Sequence, residues 1–215
     1  MSQQALDYFN KAQSMLVMLH GSISSYLINM DELEKARLDN ERVLLLLSAV
    51  EPPDDEFKEG LERVRLKLDG NERGIETYST LINIAAGAIL QIAKQALSIA
   101  HGKQKNCKEG RKVSGTCVRD LVWYGRNQAM HYEETRLEDE LDENGNVVDR
   151  HYRSNWVGTF QRLHDQQNSR FIMEYPFKSL AKDVLDELGW TFSYTRLESD
   201  IRELISGSAS RGIES

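Results

Sequence analysis

A chain of 215 residues is long enough to bury a sizeable core as one domain, and nothing in that length requires two. Three prolines, fourteen glycines and a charged fraction of 28% fit a helical protein and count against a sandwich or barrel, which needs more turn residues and more β-branched runs. The net charge of −7 argues against an extended basic surface of the kind that coats DNA, although local patches can differ in sign from the whole.

The N-terminal MSQQALDYFN lacks the basic flank and apolar run of a signal peptide, and Cys107 and Cys117 are the only cysteines, so a reduced cytoplasmic protein is expected. From Phe9 the apolar residues Phe9, Ala12, Leu16, Leu19, Ile23, Tyr26, Met30 and Leu33 recur at steps of three and four, the stripe of a packed helix. Asp31 with Glu34 has capping-box spacing, which allows a second helix to restart there and run through VLLLLSAV to a stop at Pro52 and Pro53. Asp54 or Asp55 could cap a third helix carrying Phe57, Leu61, Val64 and Leu68 on one face, ended by Gly70. A fourth helix is expected over about 73–101, closed by Gly102. Its window LINIAAGAILQIAKQALSIA is long enough to reach across a bilayer. Asn83, Gln91, Lys94 and Gln95 interrupt it, so it reads as a buried central helix, with no membrane partner.

GKQKNCKEGRKVSGT has no apolar period and reads as a basic loop before a helix that begins near Thr116. Residues 101–120 hold six Lys or Arg against Glu109 and Asp120, whereas residues 133–143 hold seven acidic residues against Arg136 alone. DENGNVVD, with its Asn-Gly pair, predicts a hairpin over about 138–152. Helices are expected at about 155–168, over PFKSLAKDVLDELG with Gly189 as its end, and at about 195–206, followed by a disordered tail at 207–215.

Nucleotide-cradling glycine loops and a serine-hydrolase elbow are absent from the sequence. His131-Tyr132-Glu133 matches half of a zinc-deaminase signature, but no cysteine follows position 117 to supply the other half. The five histidines never stand three or four apart, and the two cysteines lack ligand spacing, so neither a metal nor another cofactor is expected.

What remains is WYGRNQAMHYEE, residues 123–134. On a helix Asn127 and His131 share a face, and Arg126 lies about 140° from His131, a gap that its long side chain could partly close and that a helix end or kink would make easier to close. An imidazole gains or releases a proton near neutrality, a guanidinium is a forked donor for phosphate oxygens, and an amide can hold either in place. Such a set suits phosphodiester cleavage without metal, in which a ribose 2′-hydroxyl attacks its own phosphate. One histidine does not readily serve as both acid and base, so a second copy facing the first across a two-fold axis is expected. The bland alternative is that Arg126 and His131 cap carbonyls or pair with Glu133 and Glu134.

RNQAMH, an Arg followed by Asn and, after three further residues, by His, late in a helical chain, resembles the R-x(4–6)-H motif of HEPN domains. The motif covers six residues, and its supporting context spans about 5–135. The resemblance implies a bundle of about five helices that forms a homodimer with facing motifs; within the all-α fold expected from composition and periodicity, the hairpin and the C-terminal helices lie outside the resemblance and are read as additions to the same single domain. For many members it implies a metal-independent endoribonuclease in toxin, phage-defence or RNA-processing roles. Others only bind nucleotides or protein partners, which leaves a non-catalytic interaction module as the alternative. Under the resemblance Arg126 contacts the scissile phosphate, His131 is general acid or base and Asn127 orients them. Lys103, Lys105, Lys108, Arg111 and Lys112 could guide an RNA backbone, or form only a solvated loop, and Tyr132 could stack on a base or pack. The acidic run after His131 would repel RNA unless the hairpin projects away, and offers a docking surface for a basic antitoxin or regulator.

Overall fold

The periodic stripe from Phe9 forms one helix, α1 (Gln3–Ser48), with no restart at Asp31. The computed structural model describes residues 2–48, 55–135, 137–141, 143, 147–152, 154–167 and 171–207. The expected stop at Pro52 and Pro53, a cap at Asp54, the Asn144-Gly145 turn and the tail beyond Gly207 lie outside the described residues. Asp31 and Glu34 are mid-helix ion-pair partners: Lys35 Nζ lies 2.5 Å from Asp31, and Arg37 bridges Glu34 at 2.9 Å and Glu41 at 2.5 Å. Such i,i+3 and i,i+4 pairs each support a helix by a few tenths of a kcal/mol, so the acidic residues that look like a cap extend the helix.

The third and fourth expected helices are likewise one, α2 (Asp55–His101), which passes through Gly70 and Gly74. A glycine inside a helix costs about 1 kcal/mol relative to alanine, too little to break a long helix whose flanks pack. Gly74 has a packing reason, because a Cβ there would lie 2.6 Å from Leu33 Cδ1. Three helices, α1, α2 and α3 (Val118–His131), therefore occupy the span in which five were expected. Beyond them come β3 (Leu137–Leu141) paired antiparallel with β4 (Val147–Tyr152), then α4 (Val157–Gln167), α5 (Ala181–Leu188) and α6 (Tyr194–Ser206). The chain is mostly helical, as its composition suggests.

Before α3 the basic segment folds into a second small hairpin, β1 (Lys112–Val113) with β2 (Thr116–Cys117), where a loop was expected. Ser114 and Gly115 both have positive φ, 42° and 75°, the backbone of a two-residue hairpin turn.

The chain divides into two compact units, Met1–His20 with Asn83–Ser215, and Gly21–Ile82. Within Gly21–Ile82, segments of α1 and α2 pack antiparallel. The Tyr26 and Tyr78 rings meet in a tilted contact at 5.8 Å, Asn29 Nδ2 donates to the Tyr78 hydroxyl at 3.2 Å, and Leu33 fills the space over Gly74. In the larger unit, Phe9 and Leu16 of α1, Ile89 and Leu97 of α2, and Trp156 and Trp190 are fully buried. Of the described helices, α2 alone is long and apolar enough to cross a membrane, and 56% of its apolar window is buried in this fold, as a central core helix requires.

Gly189, at φ +68°, ends α5 as expected, with Trp190 N donating to Leu185 O at 2.8 Å. Trp190 leads into a buried polar network: its Nε1 donates to Asp200 at 2.7 Å, and Arg111 reaches the same carboxylate at 2.9 Å and also donates to Leu188 O.

Cys107 and Cys117 are buried free thiols, and burial pushes both up to about 11. Both thiols should resist iodoacetamide at pH 8.5 in the native protein and react once it is unfolded. Because the unfolded chain releases these protons near its ordinary thiol value and the fold retains them, stability should fall as pH rises from about 9 toward about 11, as read by denaturant midpoints. Asp120 in the first turn of α3 behaves oppositely. Burial raises its carboxyl, but the hydrogen bonds from Arg119, Gln104 and Cys117 outweigh this and hold it below the usual value.

Candidate functional site

The site is built on α3. Val118, Leu121, Val122, Gly125 and Gln128 form its buried face, at the spacing of one helical stripe. A Cβ on Gly125 would lie 2.8 Å from Val184 Cγ1 and 3.4 Å from Leu90 Cδ1, so only glycine lets α3 approach α5 and α2 this closely. Gln128, in the middle of RNQAMH, is fully buried. Its Nε2 donates to Lys178 O at 2.6 Å and its Oε1 accepts from Leu180 N at 2.7 Å, while Asn83 of α2 accepts from Lys182 N at 3.2 Å. The two amides satisfy orphan donors at the start of α5.

With that face anchored, Arg126, Asn127 and His131 emerge on the other side. Arg126 Nη1 lies 3.3 Å from Asn127 Oδ1 and 3.4 Å from His131 Nε2. The structure thus brings together the three residues singled out in the sequence. The helix end closes the angular gap: α3 stops at His131, whose φ of −137° leaves the helical region, and a 3-10 turn follows over Tyr132–Glu134.

Each of the three has a further partner; those of Arg126 and Asn127 escaped short-range reading, whereas that of His131 is one the sequence offered. Gln91 Oε1 of α2 accepts from Arg126 Nε at 2.5 Å. Asn127 Nδ2 approaches Asn155 Oδ1 at 3.4 Å, so the chain beyond the hairpin contributes to the site. Glu134 lies 3.0 Å from His131 Nδ1. An exposed pair of this kind adds little stability, but with the proton on Nδ1 it leaves the Nε2 lone pair facing Arg126. Glu134 is therefore both the ion-pair partner of the bland alternative and an orienter of the ring.

Lys94, one turn beyond Gln91, lies over Trp123 with Nζ 5.4 Å from the ring centroid. Burial, and then the nearby Arg126 guanidinium, hold its ammonium below the ordinary lysine value. The signal for Gln91 and Lys94 was only their polarity within an apolar helix.

The basic loop is arranged differently. Arg111 is engaged with Asp200 and Leu188 O, Lys112 with Glu109, and Lys108 with Glu203 at 3.4 Å. Lys103 and Lys105 are exposed and have no ion pair among the described residues. Tyr132 is half-buried; burial and then a hydrogen bond to Glu133 raise its phenol. No group of three or more His, Cys, Asp or Glu among the described residues could hold a metal ion. Comparison of the chain with protein-family models, with curated proteins and with solved structures finds no match.

Proposed function

We propose that the protein is a metal-independent endoribonuclease of HEPN type, in a toxin, defence or RNA-processing role. The observation that carries this reading is the convergence of a guanidinium, an amide and an imidazole within 3.4 Å at the end of α3. In the reaction the ribose 2′-oxygen bonds to phosphorus as its proton passes to a base. The bond from phosphorus to the 5′-oxygen breaks as an acid protonates the leaving group, giving a cyclic phosphate and a free 5′-hydroxyl. In this reading His131 Nε2 acts as base, and Arg126 stabilises the pentacoordinate phosphorane. The distances are at the long end of hydrogen bonding, which suits a cluster that tightens around phosphate oxygens.

A second copy of the chain supplies the imidazole for the other proton transfer. The surroundings of His131 support an interface there. His131 itself is half-exposed, Met130 beside it is 52% exposed, and Ile84, one turn before the α2–α3 contact at Gly87, is 63% exposed. The test is cleavage of single-stranded RNA in EDTA. Wild type should cleave, and His131→Ala should lose at least about 10²-fold in rate with its fold intact. Equal activity of the two proteins would remove the reading.

A second reading, a non-catalytic module that binds another protein, is favoured by Leu45 and Leu46 of α1, exposed at 72% and 71%. It predicts no cleavage at any protein concentration.

A further inference from the structure

Lys94 is a cation that the motif does not contain. On α2, Gln91 and Lys94 are three residues apart and share a face; on α3, Trp123 and Arg126 do the same. Gln91 meets Arg126 at 2.5 Å and Lys94 lies 5.4 Å from the Trp123 centroid, so the two contacts pair these faces and set two half-buried cations beside each other. Neither Lys94 nor Arg126 has a carboxylate ion-pair partner among the described residues, whereas most of the basic loop does. Like charges held together in partial burial repel, and an anion between them relieves that repulsion.

The direction of the guanidinium decides which anion. Its Nη1 faces Asn127 and His131, while its Nε faces Gln91, on the side where Lys94 follows one turn later. Lys94 therefore stands across the guanidinium from the imidazole, away from where a reacting phosphate would sit. We propose that Lys94 binds a second phosphate of the RNA strand, next along the backbone from the phosphate held by Arg126 and His131. Trp123 beneath it holds the ammonium in place. The identity of the ligand rests on the ribonuclease reading; the charge pairing does not. Lys94 acts in binding, so its loss should appear in KM.

The probe is a single-stranded 2′-O-methyl RNA oligonucleotide, which lacks the attacking hydroxyl and reports binding without cleavage. Its affinity is measured by fluorescence anisotropy across a salt series for wild type, Lys94→Gln and Lys94→Arg, with thermal melts to verify folding. Lys94→Gln should weaken binding about three- to ten-fold near 0.1 M salt and reduce the slope of log affinity against log salt by about 0.7, the loss of one phosphate contact on a single strand. Lys94→Arg should restore the slope. On cleavable RNA the glutamine variant should lose kcat/KM mainly through KM. If Lys94→Gln melts like wild type and binds with unchanged affinity and slope, the inference is overturned, even if the protein cleaves RNA. Lys94-dependent binding without any cleavage would sustain the inference and remove the nuclease. Failure of wild type to bind the oligonucleotide would overturn both.

Discussion

Arg126→Lys is expected to reduce cleavage of single-stranded RNA by about 10²–10³-fold although the positive charge is kept. The guanidinium does several things at once: Nε is held by Gln91 Oε1, Nη1 faces Asn127 Oδ1 and His131 Nε2, and the remaining N–H groups are left for phosphate oxygens. A lysine ammonium concentrates its donors on one atom at the end of a flexible stem, so it can take the contact with Gln91 or reach the phosphate, but does not span both. Single-turnover rates at saturating enzyme isolate the chemical step, and circular dichroism verifies the helix content. A lysine variant within a few-fold of wild type would show that charge alone suffices and that the fork has no role.

Asp200→Ala is expected to cost about 3 kcal/mol of stability, a fall in Tm of roughly 6–12 °C. Asp200 is 6% exposed and is the shared acceptor for Arg111 and for the indole N–H of Trp190. Truncation leaves a fully buried indole donor and a guanidinium without its counter-charge, two of the costliest single defects in a core. Arg111 is about one-third exposed, so water compensates it in part, which keeps the figure at the lower end for broken buried pairs. Asp200→Asn, which retains an acceptor oxygen, should lose clearly less. Denaturant unfolding of the three proteins provides the comparison, and equal midpoints for Asp200→Ala and wild type would show the network to be dispensable.

These two sites mark where the sequence was legible and where it was not. The helical stripe through Phe9 and Leu16, the Gly189 terminus and the Arg126–His131 spacing are local signals, carried within a few helical turns, and each has a counterpart in the structure. The helix boundaries expected inside α1 and α2 do not form, because Asp31, Glu34 and Gly70 have two local meanings and the choice depends on the rest of the helix. Ion pairing decided for the first two, and for Gly70 the cost of one glycine was too small to break a helix already held by its flanks. Arg111 looked like part of a basic loop because its partner, Asp200, is 89 positions away. Gln91 joins Arg126 across 35 positions and Asn155 joins Asn127 across 28, separations over which no periodicity informs.

The glycine contact at residue 125 has a mechanical result. Because any side chain there would collide with Val184, the helix carrying Arg126 lies closer to α5 than another residue would allow. Arg126 lies within α3, whereas from His131 onward the helix has ended. One partner of the pair is thus mounted inside a close-packed helix and the other at its end.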